Sequence, residues 1–104
     1  MSRMLQFDTA QVDETLLAGL CRRYHVRELS VFGSAARGKM RPDSDIDILV
    51  EFLPGAGVDL VDYASLMLDL SNLLGRKVDL VSKNGLKPLV RSSVLGEARL
   101  LYAT

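Results

Sequence analysis

Two aspartates within a short apolar segment, Asp45-Ile46-Asp47-Ile48-Leu49-Val50, constrain the fold of this chain most strongly. The β-branched residues favour a strand, in which successive side chains alternate between two faces. Both carboxylates then project from one face, with Cβ atoms about 6.5 Å apart. Ile46, Ile48 and Val50 form the opposite face. The segment therefore predicts a strand that is anchored in the core and presents two acids.

Two ionised carboxylates this close repel each other, and the usual relief is a cation or a raised pKa. Mg²⁺ prefers oxygen ligands and is often held by one or two carboxylates together with substrate phosphates. Two such ions can serve the attacking and the leaving oxygen of a phosphoryl transfer. The alternative is that Asp45 and Asp47 simply solvate an exposed strand face.

The segment before this strand predicts a phosphate site. Leu29 to Phe32 is typical of a short strand, and Gly33-Ser34 interrupts it before an Ala-Ala-Arg segment that could form a helical turn. The first backbone N–H groups of a helix lack internal partners and can receive phosphate oxygens. Gly33 would allow close backbone approach, and Ser34 would add a hydroxyl donor. The alternative is an ordinary turn with an N-cap.

A third carboxylate, Asp79, lies in the short apolar segment Lys77 to Val81. Alternation places Val78 and Leu80 on one face of a strand and Asp79 on the other. Beside the Asp45 strand, Asp79 could act as a third metal ligand or as the base that accepts a proton. Alone, it would be an aspartate at a strand edge that points at water.

Together these residues resemble the signature of a minimal nucleotidyltransferase of the polymerase-beta superfamily: a Gly-Ser turn, a Ser-Asp-x-Asp strand and a third Asp. The matching positions are Gly33, Ser34, Arg37, Gly38, Pro42, Asp43, Ser44, Asp45, Asp47 and Asp79. Ala35 departs from the pattern, since many relatives carry Arg there. The resemblance implies an α/β (α+β) fold of the palm-like nucleotidyltransferase type, with a small mixed β-sheet flanked by helices.

The resemblance also implies the roles of these residues. Asp45, Asp47 and Asp79 would hold two Mg²⁺ ions and form the catalytic site, while Gly33 and Ser34 would bind the triphosphate of ATP. Arg37 and Ser44 are further candidates for nucleotide binding, although Arg37 could equally have a structural role.

Composition is typical of one globular domain spanning residues 1–104, because 48% of the residues are hydrophobic and 25% are charged. We expect a cytoplasmic protein, since neither a membrane-length apolar run nor a secretory signal is present. The lone Cys21 is interpreted as a core residue rather than a reactive thiol. His25 is expected at the surface or as a C-terminal helix cap, and Glu51 is expected to be exposed.

Thirteen basic and thirteen acidic residues give a net charge of zero, which argues against nucleic acid as a partner. Because little of the chain remains to hold an acceptor, we expect a protein partner or a second copy of the chain. The resemblance implies an antitoxin of a type VII-like system that transfers AMP to a tyrosine of a HEPN-type toxin. The alternatives are an antitoxin that acts by binding alone and a transferase that modifies a small molecule such as an aminoglycoside.

The element order predicted from periodicity is helix, strand, short helix, strand, helix, strand, helix. Asp8 and Gln11 resemble a capping box that opens the first helix, with Val12, Leu16, Leu20 and Tyr24 near one face. The predicted inward stripe of the next long helix, which ends at Gly75, consists of Leu60, Tyr63, Ala64, Met67, Leu70 and Leu74.

Residues 54–57 are predicted to form a flexible link before this helix. Pro88 is expected to open the last helix, with Leu89, Val90 and Val94 inward, and Arg99 to Tyr102 could be helix or strand.

Overall fold

The computed structural model describes residues 4–7, 10–33 and 45–104 of the chain, and the side chains from residue 12 onward within those ranges. Within these ranges, six strands and three helices form a mixed α/β structure, which confirms the predicted fold class. A short 3₁₀ turn at Lys83–Gly85 follows the fifth strand. The elements are β1 (Met4–Phe7), β2 (Ala10–Asp13), α1 (Glu14–Arg23), β3 (Val26–Phe32), β4 (Ile46–Phe52), α2 (Leu60–Leu74), β5 (Val78–Ser82), α3 (Pro88–Glu97) and β6 (Arg99–Ala103).

The central sheet has four strands in the order β5-β4-β3-β6. β3 pairs antiparallel with both β4 and β6, whereas β5 pairs parallel with β4 and lies at one edge. The parallel register places Ile46 opposite Val78 and Asp47 opposite Asp79. This pairing of β4 with β5 positions the candidate site.

The core lies between the sheet and the two helices α1 and α2, which contact β3 and β5. Strand residues at alternating positions face this core, and the prediction for Ile46, Ile48 and Val50 is confirmed because each is fully buried. Cys21 is also fully buried, and burial raises the pKa of its thiol to about 12. A thiol with such a pKa remains protonated near neutral pH, so Cys21 has the predicted core role.

The start of the chain differs from the prediction. A two-stranded antiparallel hairpin, β1 with β2, precedes α1, and Gln11 lies in β2 rather than in a helix. Asp13 is the N-cap of α1, because its carboxylate accepts hydrogen bonds from the N–H groups of Thr15 and Leu16. The predicted helix start at Asp8, which lies outside the described residues, is therefore wrong.

This shift of the helix start changes which side chains of α1 face the core. Leu17 and Cys21 are buried, while Leu16, predicted inward, is 60% exposed. His25 is exposed just after α1, with a left-handed φ of 59°, and its N–H donates to the Arg22 carbonyl. The prediction of a surface position at the C-terminal end of the helix is confirmed.

For α2 and α3, the predicted ends agree with the structure better than the predicted inward faces do. α2 ends before Gly75, whose left-handed φ of 69° forms the C-cap. Its fully inward residues are Leu66, Leu70 and Leu74, whereas Leu60 is 82% exposed. The predicted inward position of Leu60, and of the exposed Ala64, is therefore wrong.

Pro88 opens α3 as expected, because its missing N–H is not needed in the first turn. The predicted inward position is wrong for Leu89, which is 96% exposed, and for Val90, which is 47% exposed, whereas Val94 is half-buried. The last segment, Arg99–Ala103, is a strand. Among the described residues, no helix has the length and apolar character needed to cross a membrane.

Candidate active site

The structure brings Asp47 and Asp79 together on one face of the sheet. The two residues are direct partners in the parallel pairing of β4 with β5, and directly opposed residues share a face. Asp45 comes immediately before β4 and, two positions from Asp47, projects on the same side. Asp47 is half-buried, whereas Asp45 and Asp79 are exposed. The three predicted acids thus occupy one end of one sheet face.

The electrostatics of Asp47 reflect this proximity. Burial raises the pKa of the Asp47 carboxyl, and the charges of Asp79 and Asp45 raise that pKa further. Within residues 12–33 and 45–104, no basic side chain pairs with Asp47 or Asp79. Ionising this carboxylate in the protein alone is therefore less favourable than ionising an ordinary aspartate, and a bound cation would offset the difference.

Gly33 contacts the Asp47 carboxylate at the end of β3. Phe32 is the cross-strand partner of Asp47, so the turn that follows begins beside the acid. A Cβ atom on Gly33 would lie 2.6 Å from Asp47 Oδ2, and Gly33 has a left-handed φ of 68°. The left-handed φ favours glycine, because a side chain would strain the backbone there, and an added Cβ would also push the Asp47 carboxylate aside.

Lys77 is a neighbour of the site that was not predicted. Its Nζ lies 4.0 Å from Asp45 Oδ2, and 81% of the Lys77 side chain is exposed. An exposed pair of this kind contributes little stability. The strand register explains this position. In the parallel pairing that places Asp47 opposite Asp79, the residue that precedes β4 and the residue that precedes β5 also lie next to each other.

Glu51 lies on the same face of β4 but belongs to a different cluster. It is the cross-strand partner of Glu28, and Lys83 Nζ lies 3.6 Å from Glu51 and 3.8 Å from Glu28. The side chain of Glu51 is 26% exposed. The expectation that Glu51 is simply exposed is therefore wrong, because it is half-buried and paired with a lysine.

The donor set at Asp45, Asp47 and Asp79 fits Mg²⁺, which prefers carboxylate oxygens and completes its shell with water and phosphate. Among the described residues, no group of three His, Cys, Asp or Glu side chains converges closely enough to form a preformed metal cage. Ions held partly by substrate phosphates do not require such a cage. Repulsion between the carboxylates also favours their separation in the protein alone.

Three further predicted residues, Ser34, Arg37 and Ser44, lie outside the described residues. Gly33, the first residue of the predicted phosphate turn, is the one described member, and it adjoins Asp47. The phosphate-binding role of this segment thus remains a prediction.

A family model described as a nucleotidyltransferase domain matches residues 14–101. The chain belongs to this nucleotidyltransferase family. It is 45% identical over 80 residues to the protein adenylyltransferase MntA of Thermococcus cleftensis, an alignment that covers 75% of this chain and 77% of the relative. The predicted family and enzyme class are therefore confirmed.

Solved structures agree with this membership of the nucleotidyltransferase family. One structure, described provisionally as a minimal nucleotidyltransferase, has a TM-score of 0.71 and 46% identity and covers 83% of this chain and 86% of its own. A toxin–antitoxin structure with AMP-PNP has a TM-score of 0.70 and 26% identity and covers 88% of this chain and 73% of its own. The fold is thus the nucleotidyltransferase fold.

Proposed function

We propose that this chain transfers AMP from ATP to a hydroxyl group of a partner protein, a tyrosine of a cognate HEPN-type toxin, and so acts as its antitoxin. The observation that carries the proposal is the cross-strand pair Asp47 and Asp79, which has Asp45 on the same face. Among the described residues, no basic side chain pairs with Asp47 or Asp79. Such a pair is stabilised when a divalent cation binds.

Asp45, Asp47 and Asp79 are the residues that would hold two Mg²⁺ ions. When bound, the ions would neutralise triphosphate charge and lower the pKa of the acceptor hydroxyl. Asp47, half-buried on a core strand, would hold these ions in a fixed position. Gly33 would leave room for the triphosphate beside this carboxylate, with Ser34, Arg37 and Ser44 as the further phosphate contacts proposed from the sequence.

In the proposed reaction, the acceptor oxygen attacks the α-phosphorus, and a new P–O bond forms as the bond to the β-phosphate oxygen breaks. Pyrophosphate leaves. Asp79 is exposed at the edge of the sheet, where an acceptor can approach, and its carboxylate is suited to take the hydroxyl proton and pass it to water.

Two relatives support the choice of donor and acceptor. The Thermococcus protein, which is 45% identical, is named a protein adenylyltransferase. The toxin–antitoxin structure, 26% identical, contains AMP-PNP, an analogue of ATP. The choice of a HEPN-type toxin as the partner rests on the motif from Gly33 to Asp79, because that motif resembles the signature of minimal nucleotidyltransferases that act as antitoxins of such toxins.

The test uses ATP labelled at the α-phosphate, incubated with Mg²⁺ and this chain, alone and with the protein encoded beside it. We expect label on a tyrosine of the partner, and none with Asp47→Asn. Glu51→Gln is the matched control, because Glu51 lies on the same strand face but pairs with Lys83. This variant should label the partner at the wild-type rate.

Two outcomes would overturn the proposal. A stable complex without label would indicate an antitoxin that acts by binding alone. Efficient turnover of an aminoglycoside without any partner would indicate a small-molecule transferase.

A further inference from the structure

Side chains of α2 form hydrogen bonds with the outer edge of β5. The Ile46 N–H donates to the Lys77 carbonyl at 2.9 Å, so this carbonyl faces β4. Backbone groups of successive residues point to opposite sides of a strand. The backbone groups of Val78 and Leu80 therefore point away from β4, at an edge where no other strand of the described residues pairs with β5. Both of these residues directly flank Asp79.

Ser71 bonds the first of these outward groups. The Val78 N–H donates to Ser71 Oγ at 3.0 Å, and the Ser71 hydroxyl itself donates to the Met67 carbonyl one turn earlier at 2.8 Å. The hydroxyl proton is thus used within α2, and a lone pair is left for Val78. This arrangement fixes the start of β5 to the last turns of the helix.

Tyr63 bonds the second outward group. Its hydroxyl donates to the Leu80 carbonyl, and its ring packs at a tilted angle on Phe52, with ring centroids 6.3 Å apart. Burial raises the pKa of the Tyr63 hydroxyl, and the charge of Asp79 raises that pKa further. Tyr63 therefore holds β5 on the other side of Asp79.

We propose that Tyr63 and Ser71, the α2 clamp, are positioning residues that hold Asp79 opposite Asp47. The proposal rests on the proposed function, in which Asp79 completes the catalytic acids. Asp79 is carried by an edge strand with one strand neighbour in its sheet, and that neighbour presents the like charge of Asp47. Repulsion between these acids favours separation of β5 from β4. The hydrogen bonds of the clamp, on the edge of β5 that faces away from β4, oppose this separation.

The first test compares Tyr63→Phe with Tyr24→Phe. The Tyr24 hydroxyl donates to Asp69 of α2 at 2.6 Å, so the control also removes one hydroxyl bond that involves α2, but one remote from β5. Outer-shell partners of catalytic ligands typically contribute 10- to 100-fold, so we expect kcat to fall about tenfold in Tyr63→Phe. Because Asp45, Asp47 and Gly33 are untouched, KM for ATP should change little. Tyr24→Phe should change neither constant.

The second test examines the other half of the clamp. Ser71→Ala should lower kcat in the same way, and Ser71→Thr, which retains a hydroxyl, should restore it. Hydrogen exchange at the Asp79 amide, which faces β4, provides a readout independent of catalysis. Exchange should be faster in Tyr63→Phe and Ser71→Ala than in Tyr24→Phe.

If the wild type is active and Tyr63→Phe has the same kcat as Tyr24→Phe, the positioning role of Tyr63 is overturned. A wild type without transfer to any acceptor would instead overturn the proposed function. The exchange rate at the Asp79 amide would then decide whether Tyr63 and Ser71 hold β5, and an unchanged rate in both variants would reject the clamp.

Discussion

Two pairs of opposed carboxylates lie on the same face of the sheet, and the protein treats them differently. At one end, Glu28 and Glu51 are cross-strand partners with the Lys83 ammonium within 3.8 Å of both. At the other end, Asp47 and Asp79 are cross-strand partners, and no basic side chain among the described residues pairs with them. We call these the bridged pair and the open pair.

The comparison separates a structural use of acids from a functional one. Like charges directly opposite each other destabilise a sheet, so each pair needs a cation. For the bridged pair, the chain supplies that cation from the 3₁₀ turn that follows β5. For the open pair, the pKa of Asp47 is raised by burial and by Asp79, and a bound ion would supply the missing charge.

The largest expected effect is on catalysis. Changing both Asp45→Asn and Asp47→Asn should lower the rate of AMP transfer by at least about a hundredfold, since metal-ion stabilisation contributes several kcal/mol. Glu51→Gln should leave the rate near that of the wild type, because Glu51 pairs with Lys83 away from the open pair and such an ion pair contributes only about 1 kcal/mol or less to stability. Label transfer with matched protein concentrations measures both. Equal losses in the two proteins would remove the distinction between the pairs.

The next largest effect concerns the turn beside the open pair. Gly33→Ala and Gly75→Ala both place a side chain at a left-handed φ, which costs about 1 kcal/mol or more. The added Cβ meets Asp47 Oδ2 at 2.6 Å in the first variant and meets nothing within 4 Å in the second.

Both glycine variants should therefore lose stability, but a weaker affinity for AMP-PNP should be found with Gly33→Ala alone. Gly33→Val should weaken binding further, because its branched side chain is larger. Calorimetry measures the affinity, and an unchanged value in both Gly33 variants would mean that Gly33 serves the backbone turn and not the nucleotide.

A smaller effect, of opposite sign for the two pairs, is expected on the stability of the metal-free protein. Asp47→Asn relieves repulsion and should stabilise by about 0.5 kcal/mol, a rise of a few degrees in Tm. Lys83→Gln leaves two opposed glutamates and should destabilise by a similar amount, about 0.5 to 1 kcal/mol. Thermal unfolding in the presence of a chelator measures both shifts. A fall in Tm for Asp47→Asn would contradict the account of the open pair.

The smallest expected effect is the pH dependence of the stability that Asp47→Asn gains. Because the pKa of Asp47 lies above its ordinary value of 3.8 in the folded protein, the folded state holds the proton more tightly than the unfolded state. Stability therefore falls as pH rises through the raised pKa. Asp47→Asn lacks this loss, so its advantage in Tm should be absent below pH 3.8 and should grow above it. An advantage independent of pH would exclude titration of Asp47 as its cause.

Sequence alone identified the strand of Asp47 and its buried face, because alternation of apolar and acidic residues depends only on local geometry. It also gave Asp79 a possible place beside that strand. The contact of Gly33 with Asp47 could not be predicted, because it depends on the register of β3 with β4.

Two further features of the fold also escape sequence-based prediction. The spacing of Asp8 to Gln11 fits a capping box and so predicts a helix start there, whereas Gln11 lies in β2 and Asp13 caps the helix. The predicted apolar stripe correctly contains Tyr63, which packs against the core, but periodicity does not reveal that its hydroxyl donates to the Leu80 carbonyl. Strand pairing in the hairpin decides the first case and a bond between α2 and β5 the second, and one-dimensional periodicity contains neither.

The most direct test that the open pair binds the metal–nucleotide complex is the rise in Tm on adding Mg²⁺ with AMP-PNP. Ligands that bind the folded state stabilise it in proportion to the logarithm of their concentration over Kd. The wild type and Glu51→Gln should show the same rise, and Asp47→Asn should show little or none. If the Tm of Asp47→Asn rises as much as that of the wild type, the open pair is not where the metal–nucleotide complex binds.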